Sequence, residues 1–375
     1  MAGNLRGGWA MTTTSVTASP PFCPNPGCIF HRDAACWRWV RDGFYSQRHT
    51  AHRVQRFRCR HCRRRFSAQT FHTTYWLKRP ELLRPVLHGL LSCAALRQLA
   101  RALDASPQTI LCHANRLGRH GLLFHEDRRP RSPIDEPLVL DGFESFEHSQ
   151  FHPTRYHVVA GQRSHFFYGF TDSELRRSGR MTPAQRRTRS ALEARLGRPD
   201  PRSTEHEVAA VLALVCPEPQ ALRLHTDEHA DYPRALRRLP HLRITHRTIS
   251  SRAARTPQNP LFAINLLDLL IRHGGANHKR ETIAFSKRRQ MAIWRLWLLL
   301  VWRNYMKWCS ERRHRDTPAM RLGLATHRLT AAELLQQRLF VTRIGLPARW
   351  QPYYWGLVPT RCLPSARAHR CRYAF

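Results

Sequence analysis

Two cysteine pairs near the N-terminus, Cys23 with Cys28 (C-x4-C) and Cys59 with Cys62 (C-x2-C), have the spacing of metal-binding knuckles. Four thiolates grouped in this way meet the tetrahedral demand of Zn2+. His31, Cys36, His49, His52 and His61 lie close enough in sequence to serve as alternative ligands. A second set of residues is acidic, in a chain that carries 62 Lys and Arg against 26 Asp and Glu. Asp141 follows the apolar run Leu138-Val139-Leu140, and Asp227 follows the stretch from Leu222 to His225. Carboxylates at strand ends offer hard oxygen ligands to Mg2+ or Mn2+, and ions held that way activate a hydroxyl and stabilise a leaving oxygen in phosphoryl transfer. A third acid would complete the set. Asp268 is the first choice, with Asn265 one turn earlier on the same helical face and Glu281 as the alternative acid.

Glu144, Glu147 and Asp172 lie just past strands and are expected as outer supporting groups, and Glu228 and Asp231 fall in the turn after Asp227. His246, Arg247, His273, His278, Lys279 and Arg280 would set positive charge beside the acids, where it could hold phosphates. No motif supports a Ser or Cys nucleophile, and there is no G-x-x-x-x-G-K loop, so ATP use is not expected.

The formal charge of +36 points to a polyanionic partner, whose condensed counterions are released on binding. Arg53, Arg56, Arg58, Arg60, Arg63, Arg64 and Arg65 surround the second knuckle, with Phe57 and Phe66 interleaved. A closed zinc site would display that charge rigidly to phosphates. Further on, Cys93 to Leu103 reads as a short amphipathic helix. Asp104-Ala105-Ser106 supplies a turn with a capping serine, and Pro107 opens a second helix through about Leu117. In a helix-turn-helix, Gln108, Thr109, His113, Asn115 and Arg116 would populate the second helix, whose N-terminal half could read base edges.

The elements that must position these groups follow in order. Residues 1–21 read as a disordered leader in which Met11 could be the true start, 22–76 as a zinc ribbon, and 80–126 as the helix-turn-helix. A polar, proline-containing linker, Asp127 to Pro137, precedes a new domain over 138–310. There three strands arrive in succession, Leu138–Leu140, Tyr156–Ala160 and His165–Phe170. A basic insertion (175–203), a helix at Glu205–Val215, strands at Leu222–His225 and Arg243–His246, and a helix from Leu261 to Arg272 follow. This is the element order of an α/β, ribonuclease-H-like domain, a mixed five-stranded sheet flanked by helices, in which Asp141 and Asp227 would converge from adjacent strands. Residues 311–375 read as a C-terminal tail with an aromatic run at Trp350, Tyr353, Tyr354 and Trp355.

A chain of 375 residues with 42% hydrophobic content has room for two or three domains. Its eleven cysteines, unevenly placed, suggest metal ligation in a reducing compartment rather than a disulfide framework. The first 21 residues lack the apolar core of a signal peptide, and the longest apolar run, Met291 to Trp302, is interrupted by Arg295 and falls short of the ~20 residues of a membrane span. That run is expected as a buried helix, and the protein as cytoplasmic and nucleoid-associated.

Beyond these readings, the chain resembles small bacterial insertion-sequence transposases of the DDE type with an N-terminal zinc finger. The front-end likeness lies in Cys-Pro-Asn-Pro-Gly-Cys (23–28), Phe57-Arg58-Cys59-Arg60-His61-Cys62 and Phe66-Ser67. In the remainder it lies in Leu140-Asp141-Gly142-Phe143-Glu144, Thr226-Asp227 and Arg280-Glu281-Thr282-Ile283-Ala284-Phe285-Ser286-Lys287. The resemblance covers most of residues 22–310 and implies metal-dependent cleavage and joining at element ends, on double-stranded DNA and as a homodimer. Counting back from the last block, Asn265 occupies the position of the relatives' catalytic glutamate. Either Asp268 takes over as ligand, or the chain is a catalytically inactive DNA-binding regulator.

Overall fold

The computed structural model describes residues 19–46, 53–130, 133–279 and 282–370. Most of the expected leader (1–18), together with His49, His52, Arg280 and Glu281, lies outside these residues. The chain forms two compact units that part between Trp76 and Leu77.

The first unit holds a three-stranded antiparallel sheet of β1 (Trp39–Ser46), β2 (Arg53–Cys59) and β3 (Arg65–Ser67). Alternation along β2 sorts its side chains: Phe57 and Cys59 are buried, Arg56 is exposed and Arg58 half-buried. Phe57 stacks on Phe66 with ring centroids 5.6 Å apart, and Phe66 meets Trp37 at 5.9 Å and Phe71 at 6.0 Å. An aromatic layer this small is the kind of core that small domains supplement with a disulfide or metal staple.

The second unit is built on a five-stranded mixed sheet. Strands β4 (Leu138–Phe146), β5 (Pro153–Gly161) and β6 (Phe167–Glu174) form an antiparallel meander. Strands β7 (Gln220–Thr226) and β8 (Leu242–Thr248) then add parallel to β4, giving the order β6-β5-β4-β7-β8. From Tyr156 to Gly161 every residue of β5 is buried, as expected of a strand covered on both faces. The segment between β6 and β7, expected as a basic insertion, contains α4 (Pro183–Leu196) before the crossover helix α5 (Ser203–Val215). Helix α6 (Asp231–Leu236) links β7 to β8, and α7 (Phe262–Gly274) packs on β4 and β5.

The segment expected as a helix-turn-helix forms α1 (Leu83–Leu91), α2 (Leu96–Ala102) and α3 (Pro107–Arg128), which group with the sheet in one compact unit. Ser106 caps α3 by accepting from the Thr109 N–H at 3.1 Å, as its position before Pro107 predicts. The helix then runs well past Leu117, because its later turns pack against α8 (Arg289–Val301). At that crossing a Cβ on Gly118 would lie 2.3 Å from Cβ of Trp294 and 2.8 Å from its backbone. Glycine is what allows the two helices to approach so closely.

The segment after residue 311, expected as a C-terminal tail, carries further helices. After the short helices α9 (Pro318–Arg321) and α10 (Ala331–Leu334), helix α11 (Gln351–Trp355) brings Tyr353 into the core beside Trp350. Trp350 meets Trp297 at 4.9 Å and donates its indole N–H to the Phe170 carbonyl at 3.0 Å. Just beyond α8, the Asn304 amide donates to the Phe167 carbonyl and accepts from its N–H, both at 2.8 Å. Edge strand β6 thus has backbone groups engaged by side chains. The apolar run from Met291, expected as a buried helix, is α8, and no helix among the described residues is long and apolar enough to cross a membrane.

Candidate metal centre and active site

In the first unit Cys23, Cys28, Cys59 and Cys62 have all four Sγ atoms within 4.8 Å of one another. Cys23 and Cys62 are 3.6 Å apart, and Cys28 and Cys59 are 4.0 Å apart. A tetrahedron with Zn–S bonds of about 2.3 Å has edges of about 3.8 Å, so four thiolates could hold zinc here. Burial raises the Cys59 thiol, but donation from the Trp37 indole (3.3 Å) and from backbone groups of Cys62 and His61 outweighs it, bringing Cys59 down to about 7. A zinc-binding thiolate needs that kind of outer support. Of the alternative ligands, His31 is buried with Nδ1 2.8 Å from the Cys23 carbonyl, Cys36 is exposed, and exposed His61 sits 3.5 Å from the Cys28 sulfur. Arg56, Arg60, Arg63, Arg64 and Arg65 are exposed around this centre, with Arg58 half-buried among them. Arg65 pairs with Asp42 at 2.7 Å, which leaves the cluster strongly cationic.

In the second unit the register of β4 with β7 sets Leu138 against Leu224 and Val139 against His225. Two residues further along both chains stand Asp141 and Asp227, level with each other where the parallel pair opens. The Gly142 N–H donates to Asp141 Oδ1 at 2.6 Å, and the His229 N–H donates to Asp227 Oδ1 at 3.0 Å. Burial raises the Asp141 carboxyl to about 6 against the Gly142 bond, with the negative charge of Asp227 adding to the rise. Asp268 on α7 is raised further, to about 8, by burial first and then by the charge of Asp141. Its Oδ1 is buried without a hydrogen-bond partner. The carboxyl of Asp141 is repelled by Asp227 and that of Asp268 by Asp141, Asp268 Oδ1 has no donor, and an all-oxygen set of this kind fits a hard divalent cation. They are spread more widely than the thiolates: among the described residues only the four cysteines bring three or more ligand atoms within 4.8 Å.

Asp141, Asn265 and Asp268 line an open cleft of about 880 Å³. Its wall is basic as well as acidic, with Arg255, Arg272 and Lys279 facing the same space, while Phe143, Phe146 and Phe262 supply apolar surface. Arg155 reaches the centre from β5, bonding Glu144 at 2.5 Å and His229 Nε2 at 2.8 Å. It does so across Gly142, where a Cβ would come within 2.8 Å of its side chain.

Arg155 and Arg255 were missed in the sequence reading. Arg155 could be found once the β4–β5 register is known, since it lies opposite Glu144. Arg255 sits in an aperiodic loop and leaves no signal. Several expected groups are elsewhere. His278 is buried against Phe143 and Tyr156, and burial with the nearby Arg295 and Arg272 lowers it to about 3, so it is a packing residue and not a phosphate ligand. His246 bonds the Thr226 hydroxyl at 2.8 Å, while Arg247 and His273 are exposed.

Glu147 and Asp172 belong to a separate buried network. Asp172 pairs with Arg289 at 2.9 Å and Arg349 at 3.2 Å and accepts from the Tyr353 hydroxyl. Glu147 accepts from the Thr360 hydroxyl at 3.0 Å. Glu228 is exposed, and Asp231 pairs with Arg234.

On α3, Gln108 is exposed and Thr109 and Arg116 are half-buried. His113 faces inward: it is 2% exposed, with its two ring nitrogens 2.8 Å from the Thr109 and Arg79 carbonyls. On this face α3 turns onto the residues before α1.

No protein-family model and no curated protein sequence matches the chain. Among solved structures there is a weak likeness, with a TM-score of 0.25 and 14% identity, to a chain of the simian T-cell lymphotropic virus intasome in complex with the PP2A regulatory subunit B56 gamma, seen by cryo-electron microscopy. The likeness covers 62% of this chain and 70% of that one.

Proposed function

We propose that this chain is a DDE-type transposase with a ribonuclease-H-like catalytic domain, acting on double-stranded DNA of the nucleoid as a homodimer that binds element ends. What supports the reading is the pairing of β4 with β7 two residues before Asp141 and Asp227, together with the charge of Asp227 acting on Asp141 and that of Asp141 on the buried, unsatisfied Asp268. The strand order, three antiparallel strands followed by two parallel ones, is the order that such a fold requires.

When Mg2+ or Mn2+ is bound by Asp141, Asp227 and Asp268, it supplies Lewis-acid stabilisation of the attacking and leaving oxygens of a phosphodiester. The chain's own residues do the rest. Gly142 and His229 N–H groups fix the carboxylates in orientation. Arg255, Arg272 and Lys279 hold DNA phosphates along the cleft. The four cysteines hold Zn2+ and keep the arginines around β2 fixed for phosphate contacts, while Gln108, Thr109 and Arg116 meet DNA from α3. Asn265 lines the same cleft without contributing a charge.

The test is metal-dependent nicking of a supercoiled plasmid carrying the element ends. Asp227→Asn is expected to lower the nicking rate more than a hundredfold, the cost of several kcal/mol of lost transition-state stabilisation. Nicking that is indifferent to this change rejects the site. Unchanged DNA binding without any nicking by the wild type supports the other reading, a DNA-binding regulator in which Asn265 marks a lost acid.

A further inference from the structure

We infer that helix α4 is a rail for the backbone of duplex DNA at the edge of the active-site cleft. The inference rests on the DNA-processing reading above and names a surface which that reading leaves unassigned. Residues 175–203 carry nine arginines against two acids, Glu193 and Asp200. Thr182 caps the helix, accepting from the Gln185 N–H at 3.2 Å, and Pro183 opens it, yet no residue of α4 is buried. A helix of this length with like charges and no buried face gains little from the fold.

What holds α4 in place is polar. Glu193 takes Arg176 at 2.8 Å, Arg198 at 3.1 Å and Arg189 at 3.6 Å. Arg361 donates to the last carbonyls, those of Leu196 at 2.7 Å and Gly197 at 2.8 Å. This anchorage sets the helix beside the cleft, because Arg176 and Arg177 line both the cleft and the narrow crevice under α4.

Arg180, just before the helix, and Arg186, Arg187 and Arg195 on it are exposed, and none has an ion-pair partner among the described residues. They add positive charge along the helix beyond Arg176 and Arg177 of the cleft wall. Their charge complements a polyphosphate track, and 14 residues of α-helix extend about 21 Å, the length of roughly six base pairs. A duplex with a phosphate at Asp141 and Asp268 would run on past this rim.

The experiment uses the full chain, without divalent cation, titrated with a 40-base-pair mixed-sequence duplex at several salt concentrations. It compares wild type with R180Q/R186Q/R187Q/R195Q and with the matching quadruple lysine variant. Each lost phosphate contact lowers the magnitude of the log–log salt slope by about 0.9, so the glutamine variant is expected to lose about two to four units and the lysine variant to regain them. Hydroxyl-radical protection should shrink on one flank only. Equal slopes and equal footprints for all three proteins overturn the rail, as does a change in self-association with the DNA slope intact.

The two readings fail separately. D227N should keep the arginine-dependent slope. Nicking that ignores D227N rejects the catalytic site and leaves the rail standing, whereas D227N-sensitive nicking with equal slopes rejects the rail alone.

Discussion

Asp268 and Asp141 lie close enough, from helix α7 and strand β4, for the charge of one to hold a proton on the other. The relationship is electrostatic before it is chemical, and it sets the pH behaviour of the metal-free protein. The folded-state value of Asp268 is about 8 against an ordinary value of 3.8, so between those limits the folded form binds more protons than the unfolded one. Stability should therefore fall as pH rises from about 4 to about 8. Asp268→Asn removes this penalty: at pH 8 without divalent cation its Tm should exceed the wild type's by about 2–4 °C, the equivalent of roughly 1 kcal/mol in a protein of this size, and the gap should close by pH 4. Mg2+ should raise the wild-type Tm at pH 8 and leave the variant's unchanged. Scanning fluorimetry from pH 4 to 9, with and without Mg2+, checks both halves.

Asp268 and Asn265 are one turn apart and both line the cleft, but only Asp268 has a buried oxygen without a partner. Asp268→Asn should reduce plasmid nicking at least about a hundredfold, whereas Asn265→Ala should cost less than about tenfold. A reversed order of the two effects would reassign the third ligand.

The zinc centre should control only its own unit. Cys59→Ser, or chelation of zinc, should unfold residues 22–76 and release their β1–β3 signal, because a minidomain with so small an aromatic core depends on its metal. Helical circular dichroism, which comes from the second unit, should remain at its wild-type level. Simultaneous loss of both signals would contradict two compact units.

Packing at the α3–α8 crossing is tight enough that one methyl group matters. Gly118→Ala would place a carbon 2.3 Å from Trp294 Cβ and 2.8 Å from its backbone. Overpacking of this kind costs about 1–3 kcal/mol, read as a lower midpoint in urea with an unchanged slope.

The buried acid Asp172 offers a contrast. Asp172→Ala takes one carboxylate from Arg289 and Arg349, which keep Glu174 at 3.0 Å and Glu207 at 2.9 Å, and leaves the buried Tyr353 hydroxyl without its acceptor, so it should destabilise by about 1–3 kcal/mol. Glu81→Ala, which removes only an exposed partner of Arg79, should cost less than about 1 kcal/mol. Chemical denaturation of the two variants side by side checks the difference.

Local pattern was enough for some of this architecture. Period-two runs marked β4, β5 and β6, the Ser106–Pro107 pair marked the start of α3, and the spacing of Cys23, Cys28, Cys59 and Cys62 announced their meeting. The end of an apolar run draws attention to Asp141 and Asp227, although β4 continues past Asp141 to Phe146 and only Asp227 follows a strand end. What escaped was decided by distant partners. His113 looks like a surface residue of a recognition helix until the Arg79 carbonyl is found on its other side. Trp350 and Tyr353 look like a loose aromatic end until Trp297 and Phe170 are known to receive them. Arg255 has no periodic context at all.

The wedge of Trp350 against β6 has a consequence for how the molecule comes into being. Its indole N–H bonds a strand residue 180 positions earlier, and the Tyr353 hydroxyl reaches Asp172 across 181. The sheet therefore waits on the ribosome for a late-arriving piece of its interior, while the cysteine-bound front unit closes on contacts local to itself and can mature as soon as it emerges. A nascent chain should pass through a stage with its basic front already shaped and its acidic cleft unfinished, and messages cut short before residue 350 should yield aggregation-prone fragments in place of shortened folded proteins.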